Sequence, residues 1–297
     1  MTTKIQYNNF ETGEFTEEKE RTLDETIHLI NNFPWQQQRD HITIGLTDPS
    51  ITIEGANGDF LKLAPFYHGK FVLYLCKIPE TLFSRSFDNV SNTFPLIQSF
   101  FDDPAVFDTT SFKKQTTWFQ HPSIHFRTNN FIYDLNTARR FVAATPLLIV
   151  LAYTLVFTCI GIFGNPHARP LVVFSLLLFV VLFAIARLFL NHLKVSEGNV
   201  LILSKGKDVF AYGPAANLVW RNKKDIAELI THGRRGRGGT YYAMTRVEVI
   251  FSNGEDPLDI SCLLINWNDL MNKFPGCPTS TVSELFPFIP RDVSAPS

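Results

Sequence analysis

Three small groups of residues in this chain have types and spacings that chemistry uses. His121 and His125 lie four apart, the interval that places two imidazoles on one helical face to hold a metal. Pro122 stands between them and no glutamate follows the first histidine as in HExxH, so no metal is expected. The second group is Arg234, Arg235 and Arg237 in "GRRGRGGTYY". Its plain reading is a solvated hairpin loop. Beside an inner leaflet such a loop would bind anionic lipid, at ~1 kcal/mol per basic residue. The single RGG-like copy is not expected to bind RNA, and the loop opens no helix, as a dinucleotide loop must. The third group, Thr154, Thr158 and Gly161, follows i, i+4, i+7 and forms one helical stripe of small or hydroxylated residues. Such stripes let helices approach closely, either within one chain or between copies.

Beyond these the sequence offers little for catalysis. It contains no GxxxxGK[ST], GxSxG, HExxH or DFG-like set. Acid pairs such as Glu17-Glu18 and Asp102-Asp103 fall in tails or loops, where solvation is the default. Cys76, Cys159, Cys262 and Cys277 are scattered with no CxxC, which points to reduced thiols and not to a disulfide framework. No enzyme activity, catalytic residue or cofactor is expected.

The elements that would position these residues are dominated by two apolar runs. "FVAATPLLIVLAYTLVFTCIGIF", Phe141–Phe163, carries no charge; at ~1.5 Å per residue it spans roughly 35 Å. "LVVFSLLLFVVLFAIARLFL", Leu171–Leu190, holds only Arg187, one turn from its end, where a long side chain snorkels to the interface. Both runs are apolar all round, unlike the helices of a soluble hairpin. They predict a two-helix transmembrane hairpin over 141–190, turning at "GNPHARP". Arg127, Arg139, Arg140, Arg187, Lys194, Lys205 and Lys207 flank the pair, against Arg169 alone in the turn. Both flanks, and so both termini, are therefore expected in the cytoplasm, with the protein multi-pass in the cell's inner (plasma) membrane. The polar, acidic start "MTTKIQYNNFETGEFTEEKE" has no secretory h-region.

At 297 residues the chain has room for about two domains. Residues 1–21 read as a disordered tail, charged and poor in aliphatics. Thr22-Leu-Asp-Glu25 is a capping box opening a helix. From His41 the period changes to two, with a hairpin turn at Asn57-Gly58, so an α+β antiparallel meander is expected. An aromatic-rich extension completes this cytosolic domain, 22–135. Its rings are expected to pack on the sheet, the alternative being an interfacial patch.

After the hairpin, short strands are joined by Gly- and Lys-rich turns. "DIAELI", then "RVEVIFSNGEDPLDIS", then the amphipathic "LLINWNDLMNKF" resembles the bacterial PH-like domains attached to paired transmembrane helices. The resemblance covers 193–275. It implies a β-barrel closed by a C-terminal helix, and a binding or assembly module in place of a catalyst. Residues 276–297, rich in proline, read as a flexible tail in which "SELFPFIP" is the one sticky stretch.

The fold class expected is thus an α+β membrane protein: meander domain, transmembrane hairpin, PH-like barrel. The function expected is a non-enzymatic binding or scaffold protein that presents two cytosolic domains at the inner leaflet. Its partners would be the lipid bilayer, a protein not identified by the sequence, and possible further copies of itself. The formal net charge of −1 argues against bulk attraction to nucleic acid. An alternative is a bacterial immunity protein that neutralises a toxin through the N-terminal domain, on the faint similarity of "FYHGKFVLYL…LFSRSF…FPLIQSFF" to small α+β immunity modules.

Overall fold

The computed structural model describes residues 1–39, 46–116, 121–164, 170–234 and 244–290. The chain divides into two compact units, Met1–Asn130 with Ser204–Gly206, and Phe131–Leu203 with Lys207–Ser297.

The first unit is built on β1 (Thr2–Gln6), β2 (Thr16–Glu20), α1 (Leu23–Asn32), α2 (Trp35–Gln38), β3 (Ser50–Glu54), β4 (Phe60–Pro65), β5 (Phe71–Lys77), β6 (Thr81–Phe87), α3 (Phe94–Asp102) and β7 (Lys113–Lys114). The strands form one antiparallel sheet, ordered β2-β1-β3-β4-β5-β6-β7. Local chemistry explains the starts and turns. Thr22 caps α1 through the Glu25 amide, and Glu25 returns a bond to the Thr22 amide at 2.8 Å. Gly58 turns β3 into β4 at φ +82°, while the Asn57 side chain accepts from the Asp59 amide. Pro95 lies in the first turn of α3, where its missing N–H costs nothing.

Alternation across the sheet separates two faces. Ile5, Ile51, Leu63 and Leu73 are successive register partners and pack with Ile30, Ile97 and Phe100. The opposite face carries a rung of polar partners, Lys4, Thr52, Lys62, Tyr74, Ser84 and Lys113. Of these, Lys4, Thr52 and Lys62 are fully buried.

That rung corrects the expectation of a disordered tail at 1–21. These residues form β1 and β2, and Lys4 is held by Glu54 at 3.2 Å and Glu18 at 3.7 Å. The segment is poor in aliphatics because three of its buried side chains, Lys4, Glu14 and Arg21, are charged groups that find partners in the folded unit. The aromatic extension packs inward at Phe107, Phe112 and Phe126; Trp118 and Phe119 lie outside the described residues.

The second unit comprises β8 (Ile132–Tyr133), α4 (Thr137–Phe163), α5 (Pro170–Ser196), β9 (Asn199–Ile202), β10 (Val209–Pro214), β11 (Val219–Asn222), β12 (Ile226–His232), β13 (Arg246–Phe251), β14 (Leu258–Ser261), α6 (Trp267–Asn272) and β15 (Thr279–Val282). Two helices are long and apolar enough to cross a membrane: Arg140–Phe163, mean hydropathy 2.3, and Pro170–Ser196, mean hydropathy 2.8. They pack on each other, with Phe157 edge-on to Phe174. α4 begins before Phe141 and α5 continues past Leu190, beyond the apolar runs themselves. The turn at 165–169 lies outside the described residues.

Two four-stranded sheets complete this unit, β11-β10-β9-β8 and β14-β13-β12-β15. They enclose Leu201, Phe210, Leu229, Val247, Ile260 and Leu270. The closed barrel expected at 193–275 is not found, because no ladder joins the sheets among the described residues. The second edge of β12 is taken by β15, which runs parallel to it with Leu229 opposite Thr279, so β12 has no edge left for β11. The same strand corrects the flexible tail at 276–297. Thr279–Val282 is part of a sheet, and Ile289 beyond it is buried.

Candidate functional site

In the second unit α5, β10, β14 and the C-terminal tail meet around the C-terminal end of α5. Residues spaced 3.6 apart share a face, and Arg187, Asn191, Lys194 and Val195 form such a stripe. With Tyr212, Leu258 and the tail residues Phe288 to Pro290 they line a groove of about 880 Å³. The tail is held there by side chains of α5. Asn191 accepts from the Ile289 amide at 2.8 Å and donates to its carbonyl at 3.1 Å. This closed pair satisfies a backbone segment that no sheet supports. His192, fully buried, donates from Nε2 to the Pro287 carbonyl at 2.9 Å, with Nδ1 2.9 Å from the Ser261 hydroxyl on β14.

A charged cluster secures the start of the tail. Both His232 ring nitrogens face carboxylates, Nδ1 to Glu284 at 2.9 Å and Nε2 to Glu248 at 2.8 Å. Arg246, also buried, lies 2.6 Å from Asp259 and 3.8 Å from Glu248. Burial holds the Asp259 carboxyl above its ordinary range despite that partner. Further along the domain, the Lys273 ammonium sits 4.8 Å from the Phe131 ring and 5.3 Å from that of Tyr133. Phe131 and Leu135, on either side of β8, are buried with the rest of this core.

The first unit has its own buried charge. Lys62 has none of its surface exposed. It donates to the Gln6 side chain at 2.9 Å and to the His125 carbonyl at 3.0 Å. It shares the Phe15 ring with Lys4, at 5.5 and 5.2 Å respectively. Desolvation pushes its pKa down to about 7. All three ammonium hydrogens find acceptors, Leu46 supplying the third, so the group is a structural pin with no free face for a substrate.

The residues singled out in the sequence are distributed as follows. Arg234 is exposed just past β12, while Arg235 and Arg237 lie outside the described residues. Thr154 and Gly161 are buried and Thr158 is half-buried. Both hydroxyls donate to carbonyls four residues back, Thr154 to Val150 and Thr158 to Thr154. His121 and His125 are not brought together on a helix. They bound a 3-10 turn, and their Nδ1 atoms meet Glu80 at 3.0 Å and the Thr47 hydroxyl at 2.9 Å. Among the described residues no three His, Cys, Asp or Glu side chains gather as a metal site. The groove itself was not foreseen. Its sequence signal was the heptad interval from Arg187 to Lys194, together with the apolar tail segment "SELFPFIP".

No curated protein matches the chain, and no solved structure does. A family model described as a PH domain does match, and its limits are informative. The match begins at β8, before both long helices, and ends just past α6, so the hairpin expected to precede the PH-like domain interrupts it instead. Residues 132–273 of this chain are a PH-like domain that carries the helical hairpin between its first two strands.

Proposed function

We propose that this chain is a membrane-embedded, non-catalytic binding or scaffold protein. In this reading α4 and α5 cross the inner membrane as a hairpin, and both folded units lie on its cytoplasmic side. The carrying observation is the surface of the helices. Large apolar residues such as Phe141, Phe163, Leu176 and Phe183 stand exposed along both, at 60% or more. A continuous apolar band of this kind is costly in water and needs lipid or protein to cover it. Tethering would then be the mechanism, since it holds the binding units at the bilayer at high local concentration with no new contact. The arginine loop starting at Arg234 would add electrostatic attraction to the same leaflet, and the first unit would recognise a protein partner.

The test is extraction and topology. Alkaline carbonate should leave the full chain in the membrane pellet, and protease outside spheroplasts should cut neither unit. Release into the supernatant, or digestion of either unit from outside, would overturn this reading.

A further inference from the structure

We propose that the C-terminal tail is latched by one proton at His232: the doubly protonated ring holds Glu284, and the singly protonated ring releases it. The inference concerns the second unit alone and does not depend on the membrane reading.

The His232 Nδ1 atom has two neighbours within hydrogen-bond distance. They are the Glu284 carboxylate of the tail at 2.9 Å and the Arg246 guanidinium of β13 at 3.2 Å. The two make opposite demands, because a carboxylate only accepts and a guanidinium only donates. An Nδ1–H therefore bonds Glu284, and a bare Nδ1 bonds Arg246. The other ring nitrogen does not relieve the choice. Nε2 meets the Glu248 carboxylate at 2.8 Å and must carry its own hydrogen. So the charged ring donates to both carboxylates, whereas the neutral ring turns a lone pair towards Glu284.

The surrounding charges decide which contact yields. Those facing the ring come from β13 (Arg246, Glu248), β14 (Asp259) and the tail (Glu284). With the ring charged, two cations stand among three carboxylates. Loss of the proton leaves Arg246 alone against all three. Glu284 is the most exposed of them, its side chain at 33% against 24% for Glu248 and 21% for Asp259, so it reaches water at the lowest cost. Histidine is also the side chain whose charge changes near neutral pH.

Little else fixes this part of the tail. All four side chains of β15 are exposed, and the strand is held by its ladder with β12 and by the Gly233 amide on the Val282 carbonyl at 3.1 Å. The next clamp, at His192, needs no proton. Its Nε2–H donates to the Pro287 carbonyl, and its Nδ1 accepts from the Ser261 hydroxyl, so the neutral ring satisfies both. The gate therefore acts on the tail before Pro287 and not on the segment after it.

The test follows hydrogen exchange of the full chain in detergent micelles, expressed as protection factors so that the intrinsic pH dependence of exchange is removed. Protection across residues 280–286 should fall about tenfold or more between about pH 5.5 and about pH 8, the effect of losing one charge-assisted bond over the histidine range. Ile289 and Val249 should keep theirs. Glu284→Gln should abolish the slope, because a carboxamide donates to a bare Nδ1 and accepts from a protonated one. His232→Gln should abolish it as well, having no proton to lose in this range. A flat wild-type profile, a slope that persists in either variant, or an equal loss at Val249 would overturn the proposal. A loss confined to residues 288–290 would move the gate to His192 and overturn it too.

Discussion

Ile132 and Ile202 face each other across the antiparallel pairing of β8 and β9, with both long helices between them in the chain. The hairpin is therefore a loop of the PH-like domain and not a leader to it. Its two ends opposite the turn are fixed by a strand ladder, which ties the helices to the domain at two points instead of one.

If β8 and its flanks belong to this domain, the core should feel a change made before the hairpin. Leu135→Ala removes a buried side chain packed with Leu201 and its neighbours. It should lower the stability of the second unit by about 2–4 kcal/mol. Chemical denaturation of the full chain in micelles, followed by the fluorescence of Trp267, measures this. A change below about 0.5 kcal/mol, the scatter of surface substitutions, would mean the domain starts after the hairpin.

The buried lysine of the first unit predicts a pH dependence of determined sign. Lys62 has its folded pKa lowered from 10.5 to about 7, with desolvation as the main cause and the Lys4 charge adding to it. Between those values the unfolded chain holds more protons, so stability should rise with pH from about 7 towards 10.5, and the full penalty applies below 7. Lys62→Met should abolish that slope, even where unpaired acceptors at Gln6 and His125 lower the absolute stability. A slope that survives the substitution assigns the titration elsewhere.

His125 acts in the acid range. Desolvation, then the Lys62 charge, lowers its pKa from 6.5 to about 4. The unfolded chain again binds the extra proton, so stability should fall as pH drops from 6.5 through 4. Comparing acid-unfolding midpoints of the wild type and His125→Gln checks this. The variant should lose part of the acid sensitivity, and identical profiles would count against it.

Arg246 is the buried hub of the tail cluster. Arg246→Ala leaves Asp259 without its 2.6 Å partner and should cost about 3–5 kcal/mol, the range for breaking one side of a buried pair. Replacing both members, Arg246→Met with Asp259→Leu, should cost less than the single change. Thermal melts of the two variants decide this, and a double variant worse than the single would show that the pair contributes net stability.

Tail docking can be read residue by residue. Asn191→Ala removes the acceptor of the Ile289 amide and the donor to its carbonyl. Hydrogen exchange at Ile289 should accelerate by at least about tenfold, the effect of losing roughly 1.4 kcal/mol of local protection. Exchange at Val249, in the domain core, should not move. Unchanged protection at Ile289 would place the tail's hold elsewhere.

The sequence alone determined those elements whose signals are local. Two apolar runs of membrane length, one uncharged and one with Arg187 alone, become two long apolar helices. The Thr22 capping box, the Asn57-Gly58 turn and the alternation of "SITIE" each act within a few residues, so they are readable before the chain folds. Three features came only from tertiary structure. β1 and β2 are strands because Lys4 meets Glu54 and Glu18, and Arg21 meets Thr3, across the sheet. β15 is a strand because β12 offers an open edge. The groove exists because the tail is bound back onto α5 by Asn191 and His192. The physical reason is the same in each case: a polar side chain or a short strand gains nothing from its own neighbours, and only a partner far along the chain makes its burial favourable.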